Sequence, residues 1–152
     1  WPRVAGRPWR AGSSRAPFAD VQGKGVPQVL TGSFLCGGVT FTVTATAKDP
    51  AACHCTQCRK QSGHIWASVQ VPLSAFEMQG DVRWFEASDT AKRGFCPTCG
   101  SFLFWKAFAE DTISFSMGSV DGASGLALRK HIFTGTKGDY YDIGDDVPQT
   151  RD

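Results

Sequence analysis

The sequence predicts a small, mainly β domain of antiparallel strands. Three observations carry that expectation. Apolar and polar side chains alternate along several short runs, those runs are rich in β-branched and aromatic residues, and no segment sustains a 3.6-residue apolar period. With 152 residues and 41% hydrophobic content, the chain is long enough for one domain with a modest core and no disulfides.

Residues 39–46 alternate apolar and hydroxyl side chains, the period of a strand with one buried face. Residues 65–71 read as a strand closed by Pro72, which cannot donate to a ladder. Residues 73–78 suit one short helical turn, with Ser74 near its start. Residues 81–87, 101–108 and 112–117 are three more strand candidates, the last two separated by a polar turn at Glu110-Asp111. Asp121-Gly122 and Ser124-Gly125 mark a loop. His131-Ile132-Phe133 begins a last short strand, and residues 140–143 follow a Gly-rich bend.

The ends differ in character. Residues 1–27 contain Pro2, Pro8, Pro17 and Pro27, several glycines and no periodicity, and are expected to form a disordered tail ahead of a domain over residues 28–152. The tail holds five basic side chains and one acid. Without it the chain carries 11 basic and 13 acidic residues, so a body of net charge −2 argues against nucleic acid as a partner. No apolar run approaches the ~20 residues of a membrane helix, and no signal-peptide pattern opens the chain. Six cysteines at metal-ligand spacing, without a secretory signal, suit a reducing cytoplasm better than a disulfide framework.

Those cysteines carry the chemistry. Cys53, Cys55 and Cys58 lie within one six-residue piece, C-x-C-x-x-C. In an extended segment Cys53 and Cys55 project to one side, and a tight turn brings Cys58 back to them. Three thiolates leave a zinc ion one open corner, the arrangement expected of catalytic zinc, whereas a structural site would need a fourth ligand from elsewhere. Cys96-Pro97-Thr98-Cys99-Gly100 is a zinc knuckle, and Cys36, before Gly37-Gly38, is its natural partner. A redox role for this C-x-x-C would want a βαβ context, which the following strand does not supply. His54, between two ligands, should point away from the metal they share. His64 is open to ligand, pocket or surface roles, and His131, beside Arg129 and Lys130, reads as a solvated basic edge. Trp66, Trp84 and Trp105 suit core or pocket wall.

Together these pieces resemble the glutathione-dependent formaldehyde-activating enzyme family, which includes the centromere protein V group. The resemblance runs over residues 36–41, 53–63, 95–101, 117–121, 131–133 and 137–148. It implies a β-tent fold with two zinc sites, one structural and one regarded as catalytic on Cys53, Cys55 and Cys58. It also implies carbon–sulfur lyase chemistry, joining formaldehyde and glutathione to S-hydroxymethylglutathione, with a small-molecule thiol and an aldehyde as partners. Arg59, Lys60, Gly63 and His64, just beyond the ligands, are the expected substrate-binding residues. The competing reading is a non-catalytic zinc-stabilised binding module. One position departs from the family: Phe34 stands where a cysteine is expected, so the Cys36, Cys96 and Cys99 site lacks its fourth thiolate. If residues 34–36 are extended, Phe34 faces the side of Cys36, and Phe34→Cys should strengthen the site.

Overall fold

A computed structural model describes residues 29–152; the expected tail, residues 1–27, lies outside them. Ten strands and one helix follow in chain order. They are β1 (Leu30–Ser33), β2 (Thr40–Val43), β3 (Lys48–Cys53), α1 (Thr56–Ser62), β4 (Trp66–Pro72), β5 (Phe76–Gln79), β6 (Arg83–Ser88), β7 (Ala91–Phe95), β8 (Phe102–Ala107), β9 (Thr112–Ser116) and β10 (Lys130–Ile132). β1, β2 and β5 form a three-stranded sheet, and the other seven form a sheet in the order β10-β3-β4-β9-β8-β7-β6. The mainly β expectation holds. One pair departs from it: β10 runs parallel to β3, with His131 level with Ala52.

The alternation read from the sequence is what joins the sheets. In β2, Phe41 and Val43 are buried while Thr40 faces solvent. From the large sheet, Val69, Val71, Phe104, Ile113 and Phe115 meet them in one core. Its centre is aromatic: the Phe41 ring lies 5.2 Å from Phe115 and 5.6 Å, edge-on, from Phe104. Such pairs add directional attraction to the area they bury. Gly32 is required where the small sheet closes on the turn at residues 117–119, since a Cβ there would sit 2.2 Å from the Phe41 ring and 2.5 Å from the Ser119 carbonyl.

Several expectations need correction. Residues 73–78 split into a 3₁₀ turn, Leu73–Ala75, with Ser74 near its start as expected, and the strand β5. β3 and β7 were not legible because Lys48-Asp49-Pro50-Ala51-Ala52-Cys53 and Ala91-Lys92-Arg93-Gly94-Phe95 lack strand composition. Neighbours on both sides impose them: β3 lies between β10 and β4, with a register shift that accommodates Asp49 and Pro50. Phe34, Leu35 and Cys36 are not extended. The Phe34 carbonyl accepts from Gly37 N–H at 2.9 Å, closing a turn, and Phe34 accordingly enters the core, 5.3 Å from the Phe104 ring, while Cys36 is exposed.

Candidate metal and thiol site

Cys53 is the last residue of β3, Cys55 caps the N-terminus of α1, and Cys58 lies in its first turn. The Cys58 N–H donates to Cys55 Sγ at 3.3 Å. The expected tight turn is thus the start of a short helix, which Gly63 ends in the left-handed region at φ 81°. The three Sγ atoms lie within 4.8 Å of one another, as do those of Cys36, Cys96 and Cys99. All six cysteines are free thiols. Both sets therefore fit a thiophilic metal ion.

Arg93, invisible to sequence reasoning, is the principal addition. It lies on β7, nearly fully buried, with its guanidinium nitrogens 3.6 and 3.7 Å from Cys58 Sγ and one of them 3.1 Å from the Gln57 side-chain Oε1. The hydrogen bond from Cys53, opposed by burial and aided by the Arg93 charge, pulls the Cys58 thiol down to about 6. Cys53, which holds the shared proton and is buried, is pushed up. A cationic donor beside a thiolate set offsets part of its negative charge. A buried cation in a strand that reads as Ala-Lys-Arg-Gly-Phe carries no local signal, because its partner is 35 residues away.

His54 is fully buried and His131 nearly so, which overturns the solvated reading of His131. His131 Nε2 lies 3.0 Å from the Asp145 carboxylate, and His131 Nδ1 lies 2.8 Å from His54 Nε2. His54 Nδ1 meets the Tyr141 hydroxyl. A carboxylate only accepts, so with both rings neutral the polarity runs one way. His131 Nε2–H donates to Asp145, His54 Nε2–H donates to His131, and Tyr141 O–H donates to His54. Burial keeps the Tyr141 phenol above its ordinary range and therefore protonated. The His54 N–H also donates to the Ile132 carbonyl at 3.0 Å. This chain clamps the peptide between Cys53 and Cys55 from behind, consistent with a His54 side chain turned away from the metal.

A cavity of about 650 Å³ opens over Cys53, Cys55 and Cys58, walled by Trp66, Trp105 and Phe133, with Arg93 at its edge. Of the expected substrate-binding residues, Arg59, Lys60, Gly63 and His64 lie outside that lining. Lys60 lines a neighbouring cavity of about 660 Å³ with Arg83, and Gln57 and Arg93 border both. Exposed His64 packs 4.6 Å from the Tyr141 ring and 5.6 Å from that of Tyr140. No helix among the described residues is long and apolar enough to cross a membrane.

Comparison with known proteins agrees with the geometry. No curated protein matches the chain. A crystal structure of a Rhodobacter sphaeroides protein, solved as a structural genomics target, superposes with a TM-score of 0.52 at 22% identity, covering 79% of this chain and 99% of that one. That likeness concerns the fold. The family model for the glutathione-dependent formaldehyde-activating enzyme matches residues 29–136, which include all six cysteines, Arg93 and both histidines of the buried chain. With its two cysteine clusters placed as the spacing required, the chain belongs to the glutathione-dependent formaldehyde-activating enzyme family.

Proposed function

We propose that Cys53, Cys55 and Cys58 hold zinc with one open position, and that the protein makes or breaks a carbon–sulfur bond between a thiol and an aldehyde. Glutathione and formaldehyde are the pair the family's description suggests. The observation that carries this reading is a three-thiol cluster on the floor of a cavity, with no fourth cysteine or histidine joining it among the described residues. Zinc bound there supplies a thiolate at neutral pH by lowering the pKa of a bound thiol. In the forward direction the sulfur–carbon bond forms, the carbonyl π bond breaks, and the thiol proton ends on the new hydroxyl.

The chain's own residues prepare that addition. Together with the hydrogen bond from Cys53, Arg93 helps hold Cys58 as a thiolate, and it offsets charge that would repel an incoming sulfur. Trp66, Trp105 and Phe133 exclude water, which competes for the aldehyde. The hydroxyls of Ser68, Ser88, Thr90, Ser114 and Thr136 line the same cavity and would serve as donors to the carbonyl oxygen. A reducing, cytoplasmic setting suits this chemistry, since oxidation would remove the ligands.

The test is metal analysis followed by a screen of thiol–aldehyde pairs, in wild type and Cys55→Ser. The variant should lose the metal of this cluster and all turnover, because a hydroxyl is a far poorer zinc ligand than a thiolate. A metal-loaded wild type that turns over no pair would instead favour the zinc-stabilised binding module. Full metal occupancy of the cluster in Cys55→Ser would refute the ligand assignment.

A further inference from the structure

The second cluster has an unusual feature: the described residues supply it with three ligands and no more. The chain contains six cysteines, and three are in the other cluster. Its three histidines are engaged elsewhere, His54 with His131 and His64 with Tyr140. Phe34 is turned into the core. No carboxylate joins Cys36, Cys96 and Cys99 among the described residues.

The three thiols are nonetheless arranged for a metal. Tetrahedral bonds of about 2.3 Å place two sulfurs about 3.8 Å apart. Cys36 and Cys96 Sγ lie 3.5 Å apart, close to that value. Backbone N–H groups of Gly38 and Cys99 donate to Cys36 and Cys96 Sγ at 3.4 and 3.5 Å. The side-chain heteroatom beside them is Ser101 Oγ, 3.3 Å from Cys99 Sγ and 3.3 Å from the Leu35 N–H that donates to it.

Ser101 and Cys99 also line a cavity of about 520 Å³, together with Ser62, Ser116 and Trp66. Trp66 is nearly fully buried, and its indole Nε1 has no hydrogen-bond partner. A buried donor of this kind ordinarily has an acceptor, from protein, water or a ligand. Cys36 itself is exposed, so the cluster is reachable from solvent as well.

We propose that Cys36, Cys96 and Cys99 form a second open metal site. Three thiolates hold a zinc-type ion whose fourth position, on the Ser101 side, takes a water or a small thiol from solution instead of a protein ligand. The chain then carries two exchangeable three-thiolate centres, not one open and one closed. This inference concerns a separate cluster and stands whether or not the other site is catalytic.

Cobalt(II) in the full-length protein tests it, because the thiolate-to-cobalt charge-transfer band scales with the number of Co–S bonds. Subtracting the spectrum of Cys36→Ser, a change at an exposed position, isolates this site from the other. The difference spectrum should show three sulfurs, and added 2-mercaptoethanol should raise its band by about one third, from three bonds to four. Ser101→Cys should show the four-sulfur band without added thiol and no response to it. Ser101→Ala should keep the three-sulfur band and the response. A wild-type site that binds no cobalt, or that already shows four sulfurs or ignores the thiol, would overturn the proposal. So would a Ser101→Cys band equal to wild type in well-folded protein; if that variant fails to fold, the wild-type titration decides alone.

Discussion

Replacing Phe34 by cysteine restores the residue that the family pattern expects, and the structure predicts that it will nevertheless destabilise the protein. The Phe34 side chain is 1% exposed and packs against Phe104, at the centre of the core between the two sheets. Truncating a buried phenylalanine to alanine costs about 3–5 kcal/mol, transfer and cavity contributions together. A cysteine sulfur fills part of the hole, which places Phe34→Cys near the lower end, about 3 kcal/mol. For a chain of this size that corresponds to a melting temperature lower by roughly 10 °C. A new metal ligand could offset this only if residue 34 left the core, and the 2.9 Å bond from Gly37 N–H to the Phe34 carbonyl sets a turn that points it inward. The assay is thermal unfolding of the zinc-loaded protein followed by circular dichroism, wild type against variant, with zinc content measured on the same samples. A melting temperature equal to or above that of wild type, with more tightly held zinc, would refute the reasoning and show that residue 34 reaches the metal.

Three further outcomes follow from the same geometry. Arg93→Met removes the guanidinium that helps hold Cys58 down at about 6, so the thiolate forms only at higher pH; the midpoint of metal uptake against pH should move upward, and an unchanged midpoint would show that Arg93 does not tune the cluster. Burial first, and then the neighbouring His131, lowers the His54 pKa from 6.5, so the unfolded chain takes up a proton that the folded one refuses. Stability should therefore fall as pH drops below 6.5, and His54→Asn should flatten that slope in thermal melts; an equally steep slope in the variant would rule out the histidine as its source. Asp145→Ala deletes the acceptor that fixes the His131 tautomer, and should shift the His54 and His131 ring-nitrogen resonances together in a nitrogen NMR spectrum, whereas a shift confined to His131 would break the proposed chain.

The local pattern was enough to identify β2, β4 and β9, because in each the alternation of apolar residues is itself the cause of the strand: one face must be buried; β8 was legible instead as a short run rich in aromatic residues. The two cysteine clusters were legible for a related reason. Cys53, Cys55 and Cys58, like Cys96 and Cys99, are two or three residues apart and are brought together by local backbone geometry, whereas Cys36 joins its pair from 60 residues away through the fold. β3 and β7 were not legible, since their residues form strands only when neighbours offer backbone partners on both sides.

The sequence by itself determined that this chain is mainly β, that its six cysteines divide three and three, and that position 34 offers no thiolate. Tertiary structure alone decided what surrounds those thiols. Arg93 reaches Cys58 across 35 residues, and His131, itself held by Asp145, and Tyr141 meet His54 from a stretch more than 70 residues distant. Whether Phe34 faces the metal or the core depended on a turn whose direction is set by the space between two sheets. Charge and burial act through space, so the groups that tune a thiolate or lock a histidine tautomer leave no spacing for a sequence to reveal.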